Sequence, residues 1–360
     1  MRFLLLFLIL FICSTVEAKE SVDKNILIAL QLGSEDNIDE AEKIINDALS
    51  LNPLDKSLMD LKNIIDDRNK KVIKNETAVL LYKSIIQRYS DYQLAIEIIN
   101  KAIELNPKYG TSYFSRGSMY LKLKKYKVAI QDFNLSIKYH PNKADAYFNR
   151  GIAYQHINQL NQAISDYSKA ISINPKHYLS YNNLGLAYVS IKSYDLALKS
   201  YNKAIEINDR FADVYNSLGS LERIKGEYLK ALVSYSIAIK IDPNKDSYYY
   251  NRGSIYYFKK AYDFSIKDFT NAISINVNNI DAYYMRALSN RFLQNYQATI
   301  NDFSRVIELN PNDSEAYDNR GATYLKKLND RTNGCADFSK ACDLGYCRNY
   351  QVLKQKNICQ

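Results

Sequence analysis

The 360-residue chain has no tryptophan, three histidines, six prolines and eleven glycines. Each scarcity excludes something. The few glycines and prolines are nowhere gathered into a Gly/Ser- or Pro-rich stretch, so no linker composition separates independent modules. His140, His156 and His177 show no paired spacing; two of them stand beside helix-ending prolines and read as surface loop residues. The five cysteines form no C-x-x-C pair, which argues against a zinc site and against a redox-active dithiol. There is no Gly-rich phosphate loop and no nucleophile elbow, and the carboxylates are dispersed. These features predict a non-enzymatic chain with no catalytic residues, metal or cofactor.

What the sequence does have is a period of 34 residues, counted here in slots from Gly110. Slot 4 is Tyr113, Tyr147, Tyr181, Tyr215, Tyr249, Tyr283 and Tyr317. Slot 8 is Gly117, Gly151, Gly185, Gly219, Gly253, Ala287 and Gly321, and slot 24 is always Phe or Tyr. Slots 4, 8 and 11 share one helical face; slots 20, 24 and 27 share a face of a second helix. Small residues at slots 8 and 20 are expected to bring the two backbones together, with the aromatics filling the space beside that contact. Pro107, Pro141, Pro175, Pro243 and Pro311 recur where the second helix must end. One such hairpin cannot bury its apolar stripe alone, but stacked neighbours can.

These residues, with Y-x-N-R-G in the first helix (A) and D-F or D-Y in the second (B), resemble the tetratricopeptide repeat (TPR) family. The resemblance implies an all-α fold, a right-handed superhelical solenoid of antiparallel helix pairs. Its repeats are expected at 76–109, 110–143, 144–177, 178–211, 212–245, 246–279, 280–313 and 314–348, forming one continuous solenoid over 76–348. Residues 19–75 are expected to form a degenerate repeat-like cap plus an extra helix ending near Lys70. Residues 349–360 are expected to form a capping helix.

Slots 7 and 23 vary together. Arg116, Arg150, Arg252, Arg286 and Arg320 coincide with Asp132, Asp166, Asp268, Asp302 and Asp337, whereas Leu184 and Leu218 coincide with Ser200 and Ser234. In an antiparallel hairpin these slots are neighbours, so an ion pair within each repeat is predicted. A half-exposed pair contributes about 0–1 kcal/mol, which makes it a device for hairpin geometry. Shared ancestry of duplicated repeats is the competing explanation.

Residues 1–18 read as a secretory signal peptide: Arg2, an apolar run from Phe3 to Ile12, and Val16-Glu17-Ala18 before the expected cleavage. The run is shorter than a spanning helix needs, and no transmembrane anchor is expected after cleavage. The predicted location is exported: periplasm, cell envelope or extracellular. Export suits the remaining cysteines, Cys335, Cys342, Cys347 and Cys359. Cys335 and Cys342 lie about 10 Å apart along one helix, too far to bridge. Two connectivities are left, and 342–347 with 335–359 is the favoured one. Exported bacterial TPR proteins have similar cysteine-bearing ends, a point of resemblance only. The net charge of +9 comes largely from lysines read as scattered over exposed slots, so no nucleic-acid partner is expected.

In the superhelices this chain resembles, the A helices line a concave wall, with slots 2, 5, 6, 9, 12 and 13 pointing into it. Slot 6 supplies Asn149, Asn183, Asn251 and Asn319, with Asn182 and Asn216 at slot 5. Amides both donate and accept, as an extended peptide backbone requires. Asparagine is also simply common at this slot of the variant. Phe148, Tyr250 and Tyr284 at slot 5, Tyr257 and Arg291 at slot 12, and Phe258 and Phe292 at slot 13 add an aromatic wall with an arginine. Asp145, Asp213 and Asp281 at slot 2, with no lysine there or at slot 5, argue against a carboxylate-tail clamp. The expected function is an exported scaffold binding an extended peptide or partner protein, with envelope or secretion assembly implied by resemblance. A carbohydrate- or cell-wall-binding module and an accessory subunit of an enzyme complex are the alternatives.

Overall fold

The structure, a computed structural model, describes residues 24–51, 56–88 and 90–359. The signal peptide expected at 1–18 lies outside them. The described residues form twenty α-helices and no strand. They divide into two compact units, residues 1–180 and 181–360.

The first unit holds α1 (Lys24–Ser34), α2 (Ile38–Leu51), α3 (Lys56–Asn69), α4 (Asn75–Gln87), α5 (Tyr92–Leu105), α6 (Gly110–Lys122), α7 (Tyr126–Tyr139), α8 (Ala144–His156) and α9 (Leu160–Ile173). Here α1 packs against both α2 and α4, and α3 is an extra helix between α2 and α4. Ala29, Ile45, Ile65, Ala78, Leu81 and Tyr82 build one buried cluster. The Tyr82 hydroxyl, inside it, donates to the Leu61 carbonyl at 3.2 Å. The Tyr109 hydroxyl donates to Asp67 at 2.7 Å, tying α3 to the start of the regular repeats.

Helix α10 (Tyr178–Ser190) crosses the division. The second unit continues with α11 (Tyr194–Ile207), α12 (Ala212–Ile224), α13 (Tyr228–Ile241), α14 (Asp246–Phe258), α15 (Tyr262–Ile275), α16 (Ile280–Phe292), α17 (Tyr296–Leu309), α18 (Ser314–Leu328), α19 (Arg331–Asp343) and α20 (Arg348–Gln355). Over α4–α9 in the first unit and α11–α19 in the second, each A helix packs against its own B helix, and B packs against the next A.

The same device ends A helices through the array. A residue at slot 15 turns left-handed, as at Lys124, Lys192 and Lys260, and the next N–H reaches back five residues. Lys125 donates to the Tyr120 carbonyl at 2.9 Å, and Ala261 to Tyr256 at 2.9 Å. This 6→1 bond satisfies a carbonyl that the helix would otherwise leave open, while the reversal starts helix B.

In the hairpins of Gly151, Gly185 and Gly219 the slot 24 ring lies directly over the slot 8 glycine, where the sequence suggested it would sit beside the contact. A Cβ on Gly185 would fall 2.4 Å from the Tyr201 ring, and one on Gly253 3.1 Å from Phe269. The glycine therefore makes room for a wholly buried ring, and ring burial is the larger energetic gain.

All five arginine–aspartate pairs form, each as a bidentate fork. Arg150 Nε and Nη2 donate to the two Asp166 oxygens at 2.8 and 2.7 Å. Arg116–Asp132, Arg252–Asp268, Arg286–Asp302 and Arg320–Asp337 match it at 2.7–2.9 Å. The pairs are more buried than the half-exposed case considered from sequence, with all five aspartates in the buried class. The guanidinium also stands against the slot 4 tyrosine, as Arg150 does 5.5 Å from the Tyr147 ring. Its remaining Nη1 reaches slot 25 of the preceding repeat: Arg150 to Asn134 at 2.6 Å, Arg286 to Thr270 at 3.1 Å and Arg320 to Ser304 at 2.9 Å. One side chain thus joins the two helices of a hairpin and that hairpin to its predecessor.

The C-terminus is held by two disulfides, Cys335–Cys359 and Cys342–Cys347, with Cα separations of 5.5 and 3.9 Å. Asn349, on α20, donates to both oxygens of buried Asp318 at 2.8 Å. A short helix with no buried residue of its own is thereby fixed to the last hairpin.

Candidate functional site

The A helices of each unit present slots 5, 6, 9 and 12 to one face, where the side chains are mostly half-buried. In the first unit Asn149 donates to the Ser118 hydroxyl of the preceding repeat at 3.3 Å. Phe148 packs against Tyr167 at 6.0 Å and against His177 at 5.0 Å between centroids. His177 is a correction to the sequence reading. It is buried, with Nδ1 accepting the Ser180 N–H at 3.2 Å and Nε2 3.2 Å from Asp145. A Nδ1 that accepts leaves the proton on Nε2, facing the carboxylate. His177 therefore caps a helix start and is no free loop residue.

In the second unit the slot 6 amides link successive A helices. Asn251 donates to Asn216 at 2.8 Å, and Asn319 to the Tyr284 hydroxyl at 2.9 Å. Arg291 Nη1 donates to Asn319 at 2.7 Å. Asn182 donates to Asn183 at 3.3 Å, and its own carbonyl oxygen, although buried, has no hydrogen-bond partner. The amides are therefore partly used for stacking repeats, while the Asn182 acceptor is left open.

The slot 5 rings lean on the slot 24 ring of their own hairpin. Tyr250 stands 5.7 Å from Phe269, and Tyr284 5.3 Å from Phe303 in an edge-on contact. Burial raises the hydroxyl pKa of Tyr250 and Tyr257; at Tyr284 burial, with Glu315 close by, pushes it up to about 12. All three therefore remain neutral donors at physiological pH. Two of the slot 2 aspartates are engaged as well, Asp145 with His177 and Asp213 accepting from the Tyr248 hydroxyl.

Tyr257 and Arg291 share this face, and the slot 13 ring of Phe292 meets Tyr257 edge-on at 6.0 Å. Phe258 and Phe292 lie at the A–B turns and pack on the slot 17 tyrosine of the preceding repeat, Phe258 tilted on Tyr228 at 4.9 Å and Phe292 stacked on Tyr262 at 4.6 Å. The sequence signal for this was the aromatic or tyrosine recurring at slots 13 and 17, one short turn apart in the chain but one repeat apart in space. Among the described residues no group of three or more His, Cys, Asp or Glu side chains is placed to hold a metal ion. No helix among them is long and apolar enough to cross a membrane.

Paired helices at constant spacing, small residues under large rings and a recurrent amide face define a helical-repeat scaffold. Family patterns described as Tetratricopeptide repeat match residues 90–109, 144–177, 178–211, 246–279 and 280–313, and one described as TPR repeat matches 117–157 and 219–259. Together they span more than half of the chain, which belongs to the tetratricopeptide repeat family. Proteins of this family are interaction scaffolds, and this chain is one by membership.

Among solved structures, a tetratricopeptide repeat protein from Parabacteroides merdae is similar at 18% identity over 69% of this chain and 98% of that one, with a TM-score of 0.54. The pilF protein of Pseudomonas aeruginosa is similar at 19% identity over 59% and 97%, with a TM-score of 0.52. The C-terminal part of a TPR repeat-containing protein from Cytophaga hutchinsonii matches at 19% over 66% and 98%, also at 0.52. At these identities the likeness is one of fold. No curated protein sequence matches the chain.

Proposed function

We propose that this protein is an exported, non-catalytic scaffold that holds an extended peptide, or an extended segment of a partner protein, against its A-helix face. The observation that carries the reading is the amide row of the second unit, Asn182, Asn183, Asn216 and Asn251. Its side chains recur at repeat spacing, and Asn251 bonds Asn216 across successive A helices at 2.8 Å. Amides of this kind both donate to and accept from an extended peptide backbone. Export rests on the leader-like residues 1–18 and on the cystine pairs near the C-terminus. A role in envelope or secretion assembly follows from that location and is part of the same proposal.

The test is a peptide-display selection on the full chain, repeated with Asn182→Ala/Asn216→Ala and with Tyr250→Ala/Tyr284→Ala. Selected peptides should bind the asparagine variant at least about tenfold more weakly, equivalent to one lost hydrogen bond to a buried group. Unchanged affinity in a folded asparagine variant rejects the amide row as the site. Loss confined to the tyrosine variant moves the site to the later repeats. Sugar stacking on Tyr250 and Tyr284 would compete with the ring contacts each already makes, and a glycan array on the same variants separates that case.

A further inference from the structure

The A–B turns of the second unit form an edge that the peptide-binding proposal does not use. Four large apolar side chains stand out there: Leu229 is 78% exposed, Phe258 and Phe264 each 61%, and Phe292 54%. Rings behind them hold them outward. Phe258 packs tilted against Tyr228, Phe292 stacks on Tyr262, and Phe264 lies 5.3 Å from Tyr256. Because the first two contacts join consecutive repeats, the turns form one continuous edge.

Lysines lie between these tips. Lys225, Lys259 and Lys260 occupy the turns themselves, and Lys259 Nζ stands 4.9 Å from the Tyr228 ring. The opposite edge, made of B–A turns, carries Asp209, Asp242, Asp246, Asp281 and Asp313. The hairpin geometry separates Lys259 and Lys260 from these aspartates, while Glu227 and Asp263 share the A–B edge and Glu227 pairs with Lys225 at 3.4 Å.

We propose that the A–B turn edge of the second unit docks on an anionic lipid bilayer. Projecting Phe and Leu side chains enter the headgroup layer, and flanking lysines meet lipid phosphates; this is how interfacial segments combine apolar area with charge. A nucleic acid or an acidic protein would satisfy the lysines but leave Leu229 and Phe264 in water. A continuous layer accepts all four apolar tips at once. The amide row lies on the A-helix face, so docking and peptide capture are separable.

Because the chain contains no tryptophan, Phe258→Trp or Leu229→Trp introduces a single reporter at the edge. The full chain carrying either reporter is mixed with vesicles of phosphatidylcholine alone or with added phosphatidylglycerol. A blue shift of tryptophan emission on the anionic vesicles only, reversed by salt, is expected. Adding Lys259→Glu/Lys260→Glu should weaken the vesicle titration at least about tenfold, and Phe264→Ser/Phe292→Ser should do likewise, with unchanged circular dichroism. The proposal is overturned if both reporters keep a water-exposed emission on anionic vesicles. It is also overturned if the apolar variant titrates like its parent while the lysine variant does not, the signature of a non-specific polyanion contact. Residues 1–18 are common to every protein compared and do not report through a tryptophan at the edge.

Discussion

Replacing Arg150 by Leu and Asp166 by Ser would copy into repeat 144–177 what repeats 178–211 and 212–245 already carry, Leu184 with Ser200 and Leu218 with Ser234. Asp166 is buried and takes two charge-assisted bonds, at 2.8 and 2.7 Å. Removing one partner of a buried pair costs about 3–5 kcal/mol. Asp166→Ser should fall at the lower end, about 3 kcal/mol, because the Arg150 side chain keeps 18% exposure and its bond to Asn134. Arg150→Leu strands the carboxylate with less access to water and should cost about 4 kcal/mol. The double variant exchanges ions for an apolar contact and a hydroxyl and should lie within about 1 kcal/mol of the parent. The coupling between the two sites is then at least about 6 kcal/mol, above the usual range for residues in contact because each single variant leaves a buried charge unpaired. Urea unfolding followed by circular dichroism reads the cycle, and hydrogen exchange in α8 and α9 guards against piecewise unfolding of the array. Additive single effects, or a double variant worse than either single one, would refute the reasoning.

Three further outcomes follow from the packing. Gly185→Ala, whose Cβ would sit 2.4 Å from the Tyr201 ring, should destabilise by about 1–3 kcal/mol, and Gly253→Ala, at 3.1 Å from Phe269, by distinctly less; equal melting temperatures would contradict the ring-over-glycine account. Cys359→Ser should release α20 and cost about 3 kcal/mol, more than Cys347→Ser, because Cys335–Cys359 spans 24 residues and Cys342–Cys347 only 5; thermal unfolding of the two variants checks the order. Burial raises the Glu222 pKa above its ordinary 4.5, with Ser234 bonded to it at 2.6 Å. Folding then disfavours its ionised form, so stability is lost as pH rises from 4.5 through the raised value. Glu222→Gln should therefore match the parent below pH 4.5 and exceed it at neutral pH, as read from paired denaturation curves across that window.

The architecture was legible because its determinants repeat. Tyrosine at slot 4, glycine at slot 8 and a ring at slot 24 mark the helix pairs, and the joint appearance of Arg150 with Asp166, or Leu184 with Ser200, marks a contact across the hairpin. The link from arginine to the preceding repeat was not legible. Its acceptors are Asn100, Asn134, Ser236, Thr270 and Ser304, yet slot 25 is also polar before the leucine repeats, at Ser168 and Asn202. With nothing varying in step, no covariation was there to read. His177 escaped for a related reason: its partners, Asp145 and Ser180, are brought to it by packing and by the helix start, with no recurring motif. The separation of lysines from aspartates depends on which turn lies on which edge, a property of topology that composition does not contain.

The arginine that binds backward has a mechanical consequence. In the second unit Arg252, Arg286 and Arg320 each fasten their hairpin to the one before, whereas Leu218 offers nothing to Asn202. Under tension applied along that unit, the junction between residues 178–211 and 212–245 has one rivet fewer than the three junctions that follow it. Among those four it is the one expected to yield first.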